Sequence, residues 1–208
     1  MIKKEIQEYI ETNIITQYEN FDKGHNIPHV RTVIEESLKL AQKENVRLDL
    51  IYVIAAYHDL GLSIDREFHH INSGKILDAD KHLHQWFSDN EIKIMKEAVE
   101  DHRASSKNPP RSIYGKIVAE ADRDIIPLKI IKRTIQYSIT NTPSQDKEIH
   151  WQHLVEHMAE KYAQGGYMKL WFENSKNHEQ LKELRKIISD KILLRKIFDE
   201  IYADEMLF

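Results

Sequence analysis

The chain has 208 residues, 41% hydrophobic and 31% charged, with a net charge of −4 and no cysteine. That balance suits one folded domain, or one domain with an extension, and argues against disorder or a membrane-embedded chain. It leaves no broad electrostatic case for nucleic-acid binding, and it excludes disulfides and thiolate metal sites.

Charges recur through the first ten residues, and no apolar run nears the ~18 residues of a membrane span. No signal peptide or membrane association is expected, and the protein is expected in the cytoplasm. Six glycines and no strand-like alternation point to an all-α fold.

Ile2, Ile6, Tyr9, Ile10 and Ile14 predict an amphipathic packing helix. The segment 21–25 breaks it, and Asn26 with Pro28 reads as the cap and first turn of a second helix. Val30, Val33, Ile34, Leu38 and Ala41 form the apolar face of that helix, with His29 at its entry. The next helix begins near Asp49 and runs through the apolar stretch 51–57 to His58-Asp59, just before Gly61. Further helices are expected at about 68–83, 90–102, 111–126 and 128–140, with Asn108-Pro109-Pro110 as a connector and Pro127 ending or kinking a helix. Ser144 reads as the cap of a long helix reaching Gly165-Gly166, followed by a helical hairpin turning around 174–177. The expected organisation is a helical core over 1–140, with 141–208 as a C-terminal helical extension packed on it.

Chemistry concentrates at His58-Asp59. Two strong metal ligands closing a buried helix are costly unless paired or bound to a cation. Mid-helix neighbours point about 100° apart, but at a helix terminus the chain can turn both toward one point. His29 upstream and Asp122 downstream could complete a set of two imidazoles and two carboxylates on one ion. Such a set suits a divalent cation such as manganese, iron, nickel, cobalt or zinc. Each residue also has a structural reading: a hydrogen-bonded His29, a turn at Asp59, an Asp122 paired with Arg123 or Lys116.

The order His29-Val-Arg-Thr-Val33, His58-Asp59-Leu-Gly61 and Glu120-Ala-Asp-Arg123 resembles the HD-domain superfamily of metal-dependent phosphohydrolases over residues 20–140. The resemblance implies an HD-like helical bundle and metal ligands His29, His58, Asp59 and Asp122, with Asp59 also catalytic. One or two divalent ions (Mn, Fe, Ni, Co, Zn or Mg) are implied as cofactors. The implied substrate is a small phosphate ester such as a nucleotide, attacked by a metal-activated water. A homodimer is compatible with this. Some members bind two ions, and His70 and His102 match the extra positions in order; otherwise they would serve substrate phosphate or proton transfer.

Arg66 and Arg103 are the first candidates to neutralise that phosphate, ahead of Arg111 and Lys116. Asp65 and Glu67 are candidates to orient the attacking water. His69, His82, His84, His150, His153, His157 and His178 read as surface residues, and His25 as a supporting or incidental neighbour of His29. Two other activities stay open: a di-iron oxygenase of the HD type, and a nucleotide-binding regulatory module without catalysis.

Overall fold

A computed structural model describes residues 2–22, 24–143 and 146–207, and shows an all-α chain with no strand among them. None of its described helices is long and apolar enough to cross a membrane. The chain divides into two compact units, Met1–Arg123 and Asp124–Phe208.

The first unit opens with α1 (Lys4–Tyr9), which continues as a π-turn over Ile10–Ile14 and a 3-10 segment over Ile15–Asn20. The physical reason lies in the spacing of Ile6, Ile10, Ile14 and Tyr18, all buried and four residues apart. On a regular helix each four-residue step drifts by about 40°, and the wider π-turn keeps the row on one side. Helix α2 (Ile27–Ala41) is capped by the Asn26 side chain, which accepts from the His29 amide at 3.3 Å. Pro28 in its first turn costs no hydrogen bond.

Helix α3 (Leu48–Tyr57) is the centre of this unit: every residue from Leu50 to Tyr57 is buried. Helices α2, α5 (Asp89–Glu100) and α6 (Ile113–Ala121) surround it. The helix expected over 68–83 is divided into α4 (His69–Ala79) and a 3-10 segment, Lys81–Gln85. Asp80 interrupts it, because its carboxylate accepts from the hydroxyls of Tyr9 and Tyr57 at 2.6 and 2.5 Å and caps the His82 amide. Helix α5 has a reciprocal cap between Ser88 and Glu91. Helix α6 is capped by Ser112, whose hydroxyl accepts from the Gly115 amide. It ends at Asp122, well before Pro127.

The second unit contains α7 (Pro127–Asn141), α8 (Lys147–Lys161), α9 (Lys176–Ser189) and α10 (Lys191–Glu205). Pro127 opens α7 instead of closing a helix. Ser144 lies outside the described residues; the α8 amides are capped by Asp146. The hairpin turn is not at 174–177, where Ser175 starts α9, but at Asp190, whose side chain caps α10. Ile131, Ile135, Leu154, Met158, Leu184 and Phe198 fill this unit's core. His150 is buried rather than on the surface, bonded to the Ser138 hydroxyl at 2.8 Å.

Candidate metal centre

His58 closes α3 with helical backbone, and Asp59 follows at φ −109°, ψ 3°. That change of backbone direction lets adjacent side chains face the same point. Tyr18 fixes the turn from behind. Its buried hydroxyl donates to the Ala56 carbonyl at 2.9 Å and accepts from the Asp59 amide at 3.3 Å.

Around that point stand His29 from the start of α2 and Asp122 from the end of α6. His29 Nε2 lies 3.3 Å from Asp122 Oδ1 and 3.6 Å from Asp59 Oδ2. His58 Nε2 lies 3.1 Å from Asp59 Oδ2 and 3.3 Å from His29 Nε2. All four donor atoms fall within 4.8 Å of one another. The structure therefore brings together the four residues singled out in the sequence.

The other Asp59 oxygen faces a second group. Asp59 Oδ1 is 3.4 Å from His102 Nε2 and 3.7 Å from His69 Nε2, and the two imidazole nitrogens are 3.1 Å apart. His102 occupies the expected place. His69, read from sequence as a surface residue, stands where His70 was expected. His69 is the first residue of α4, and Gly61 lets that helix end approach: a Cβ there would fall 2.1 Å from the His69 carbonyl. The Gly61 amide donates to Ser73 Oγ at 2.8 Å, holding the contact. His70 packs edge-on against His69, and its buried Nδ1 has no hydrogen-bond partner.

Three of these imidazoles are oriented by the same device. The Nδ1–H of His58, His69 and His102 donates to the carbonyl three residues earlier, on Ala55, Arg66 and Val99, at 2.7, 2.9 and 2.6 Å. A carbonyl only accepts, so the proton sits on Nδ1 and the Nε2 lone pair points into the cluster. Two such lone pairs facing each other at 3.1 Å repel unless a cation lies between them. This is the arrangement that metal-ligating histidines adopt. Nitrogen and oxygen donors without thiolate fit a divalent ion, so the cluster can hold one.

Electrostatics agree. Burial depresses a histidine's proton affinity, yet Asp59 and Asp122 beside His58 raise it well above the usual value, and His29 is raised by the same carboxylates. Burial also opposes ionisation of Asp59 and Asp122. The facing imidazoles nevertheless hold both well below the usual carboxylate range. His69, by contrast, is lowered by burial and by His102. Without a metal the first group thus needs protons as counter-charge, the role a divalent ion fills when bound.

Of the remaining candidates, Arg66 bonds to Asp22 at 2.9 Å, and Arg103 bonds to the Glu67 carbonyl and Ser105. Arg111 is tied to Asp101 and Glu100 at the ends of α5 and α6, a structural role. Asp65 caps the Phe68 amide. His25 has more support than the sequence indicated. Its Nδ1 bonds to Asp22 at 2.8 Å, and its ring lies edge-on to His29 at 5.8 Å. Tyr18 and His69 were the residues sequence reading missed. A tandem His69-His70 offers two equal choices, and Tyr18 looks like one more apolar position.

An HD domain family model matches residues 26–124, which hold every residue of both groups. Two solved structures share the fold. One is a predicted HD superfamily hydrolase from an uncultured Thermotogales bacterium, 18% identical, with a TM-score of 0.54, covering 95% of this chain and 91% of its own. The other is Bacillus subtilis YpgQ in complex with ADP, 16% identical, with a TM-score of 0.58, covering 94% of this chain and 95% of its own. No curated protein matches the chain. Family match, helical fold and ordered motifs converge: residues 26–124 of this chain are an HD domain.

Proposed function

We propose that the chain is a metal-dependent phosphohydrolase using a two-ion centre, with a nucleotide or similar small phosphate ester as substrate. The observation that carries this is the division of Asp59. One carboxylate oxygen joins His29, His58 and Asp122, and the other joins His69 and His102. Bound divalent ions would lower the pKa of a coordinated water and withdraw charge from a phosphoryl oxygen. His29, His58, Asp59 and Asp122 would hold one ion; Asp59, His69 and His102 would hold the other. The ADP held by the Bacillus subtilis protein of like fold supports a nucleotide as the substrate class.

The chain's own residues supply the rest. Asp22 accepts the Nδ1–H of His25, whose ring stands edge-on to His29, and this leaves Nε2 to carry a proton to a leaving oxygen. Burial opposes ionisation of Asp22, but the bonds from Arg66 and His25 keep it ionised far below the usual range. Arg103, whose charge is felt by His69 and His70, would neutralise phosphate oxygens. His70, held neutral mainly by burial with a pKa of about 4, offers a hydrogen bond without charge.

The test is metal analysis of purified protein with Mn-dependent release of phosphate from a substrate panel, for wild type and Asp59→Asn. Two ions per chain and hydrolysis are expected, with both lost in Asp59→Asn. Dioxygen consumption by the iron-loaded protein, without phosphate release, would assign the centre to oxygenase chemistry instead.

A further inference from the structure

Among the described residues of Met1–Arg123, only two large apolar side chains are left exposed. They are Ile64, 65% exposed, and Phe68, 55% exposed, and both stand between Asp59 and His69. Every other described large apolar residue of that unit is at least partly covered, so this pair stands out against its own background.

The segment carrying them is fixed. The amides of Ile64 and Asp65 donate to the Gly61 carbonyl at 3.0 and 3.1 Å, and the Phe68 amide donates to the Asp65 carboxylate at 2.8 Å. The Arg103 guanidinium bonds to the Glu67 carbonyl, and Arg66 bonds to Asp22. Phe68 is thus held exposed by a hydrogen-bonded turn, one residue before His69, with the Arg103 guanidinium bonded to the carbonyl just ahead of it. A Cα spacing of about 3.8 Å joins it to the ligand residue.

We propose that Phe68, with Ile64, is the platform for the organic part of the substrate, and that it selects an aromatic group such as a nucleobase. This rests on the phosphohydrolase reading above. An apolar surface next to the ligand residue His69, with the Arg103 guanidinium on the same turn, suits a molecule with a charged phosphate and a flat apolar end. A phenyl ring stacks on any base without reading its edges, so the preference is for aromatic over aliphatic esters, not for one base. Phe68 contributes to binding, and the reacting phosphoryl group is handled elsewhere.

Adenosine 5′-monophosphate and ribose 5-phosphate, which differ by the base alone, provide the test in the Mn-loaded full chain. Phe68→Ala is expected to raise KM for the nucleotide about tenfold, leaving kcat and the ribose 5-phosphate KM within about twofold. Equal changes for both substrates, or an unchanged nucleotide KM, would overturn the proposal. If wild type hydrolyses neither, the hydrolase reading fails by itself, and binding to Phe68→Trp decides the platform. Quenching of its added indole emission by the nucleotide but not by ribose 5-phosphate sustains it; no quenching, or equal quenching, ends it. A dimer that Phe68→Ala dissociates, with the nucleotide KM unmoved, would instead assign the patch to a second copy of the chain.

Discussion

The Nε2 atoms of His69 and His102 face each other at 3.1 Å, although 33 residues separate them in the chain. Each ring is locked by its Nδ1–H bond to a backbone carbonyl, so neither can turn its lone pair away. The pair is meaningful only with a cation between the rings.

The neighbouring histidine provides the sharpest control. His69→Ala should reduce bound metal from two ions per chain to one, while His70→Ala should keep both. Elemental analysis of the two purified variants, with circular dichroism to confirm the helical fold, separates them. Loss of an ion from His70→Ala alone would reverse the assignment.

Gly61 sits where any side chain collides with the first turn of α4. Gly61→Ala should destabilise the protein by about 1–3 kcal/mol through overpacking. Displacement of His69 should also weaken the second Mn ion more than the first. Calorimetric titration of Mn into metal-free protein would show one site shifted and the other nearly unchanged.

The Asp22–His25 pair predicts a dependence on the leaving group. His25→Ala should slow hydrolysis of alkyl phosphates by on the order of 10²-fold or more. A p-nitrophenyl ester, whose leaving group needs no proton, should lose far less. Equal losses on both substrates would remove His25 from the proton-transfer role. Metal content should be unaffected.

Away from the site, Asp80 and the hydroxyls of Tyr9 and Tyr57 contribute to the pH dependence of the fold. Burial works against ionisation of Asp80, but the bonds from Tyr57 and Tyr9 depress it below its ordinary value of 3.8. Its stabilisation is therefore present above that value and is lost as pH falls through the lower folded value. Burial, with Asp80 nearby, pushes Tyr9 up to about 12 and Tyr57 further. That contribution is complete below about pH 10 and fades as pH rises through the folded values. Tyr57→Phe should cost about 1–3 kcal/mol at pH 7 and flatten both limbs in urea unfolding curves.

The sequence by itself determined the helical class, because apolar periodicity and capping residues such as Asn26 act over one or two turns. It also singled out His29, His58, Asp59 and Asp122, because their motifs stand in the order that resembles the HD-domain superfamily. Local spacing could not choose between His69 and His70, place Tyr18 behind Asp59, or divide the helix at Asp80. Those outcomes depend on contacts between segments far apart in the chain: the Gly61 approach to α4, the Tyr18 hydroxyl on Ala56, the Tyr9 and Tyr57 hydroxyls on Asp80. One residue of register along α4 turns a side chain by about 100°, so only the packed structure decides which imidazole faces Asp59.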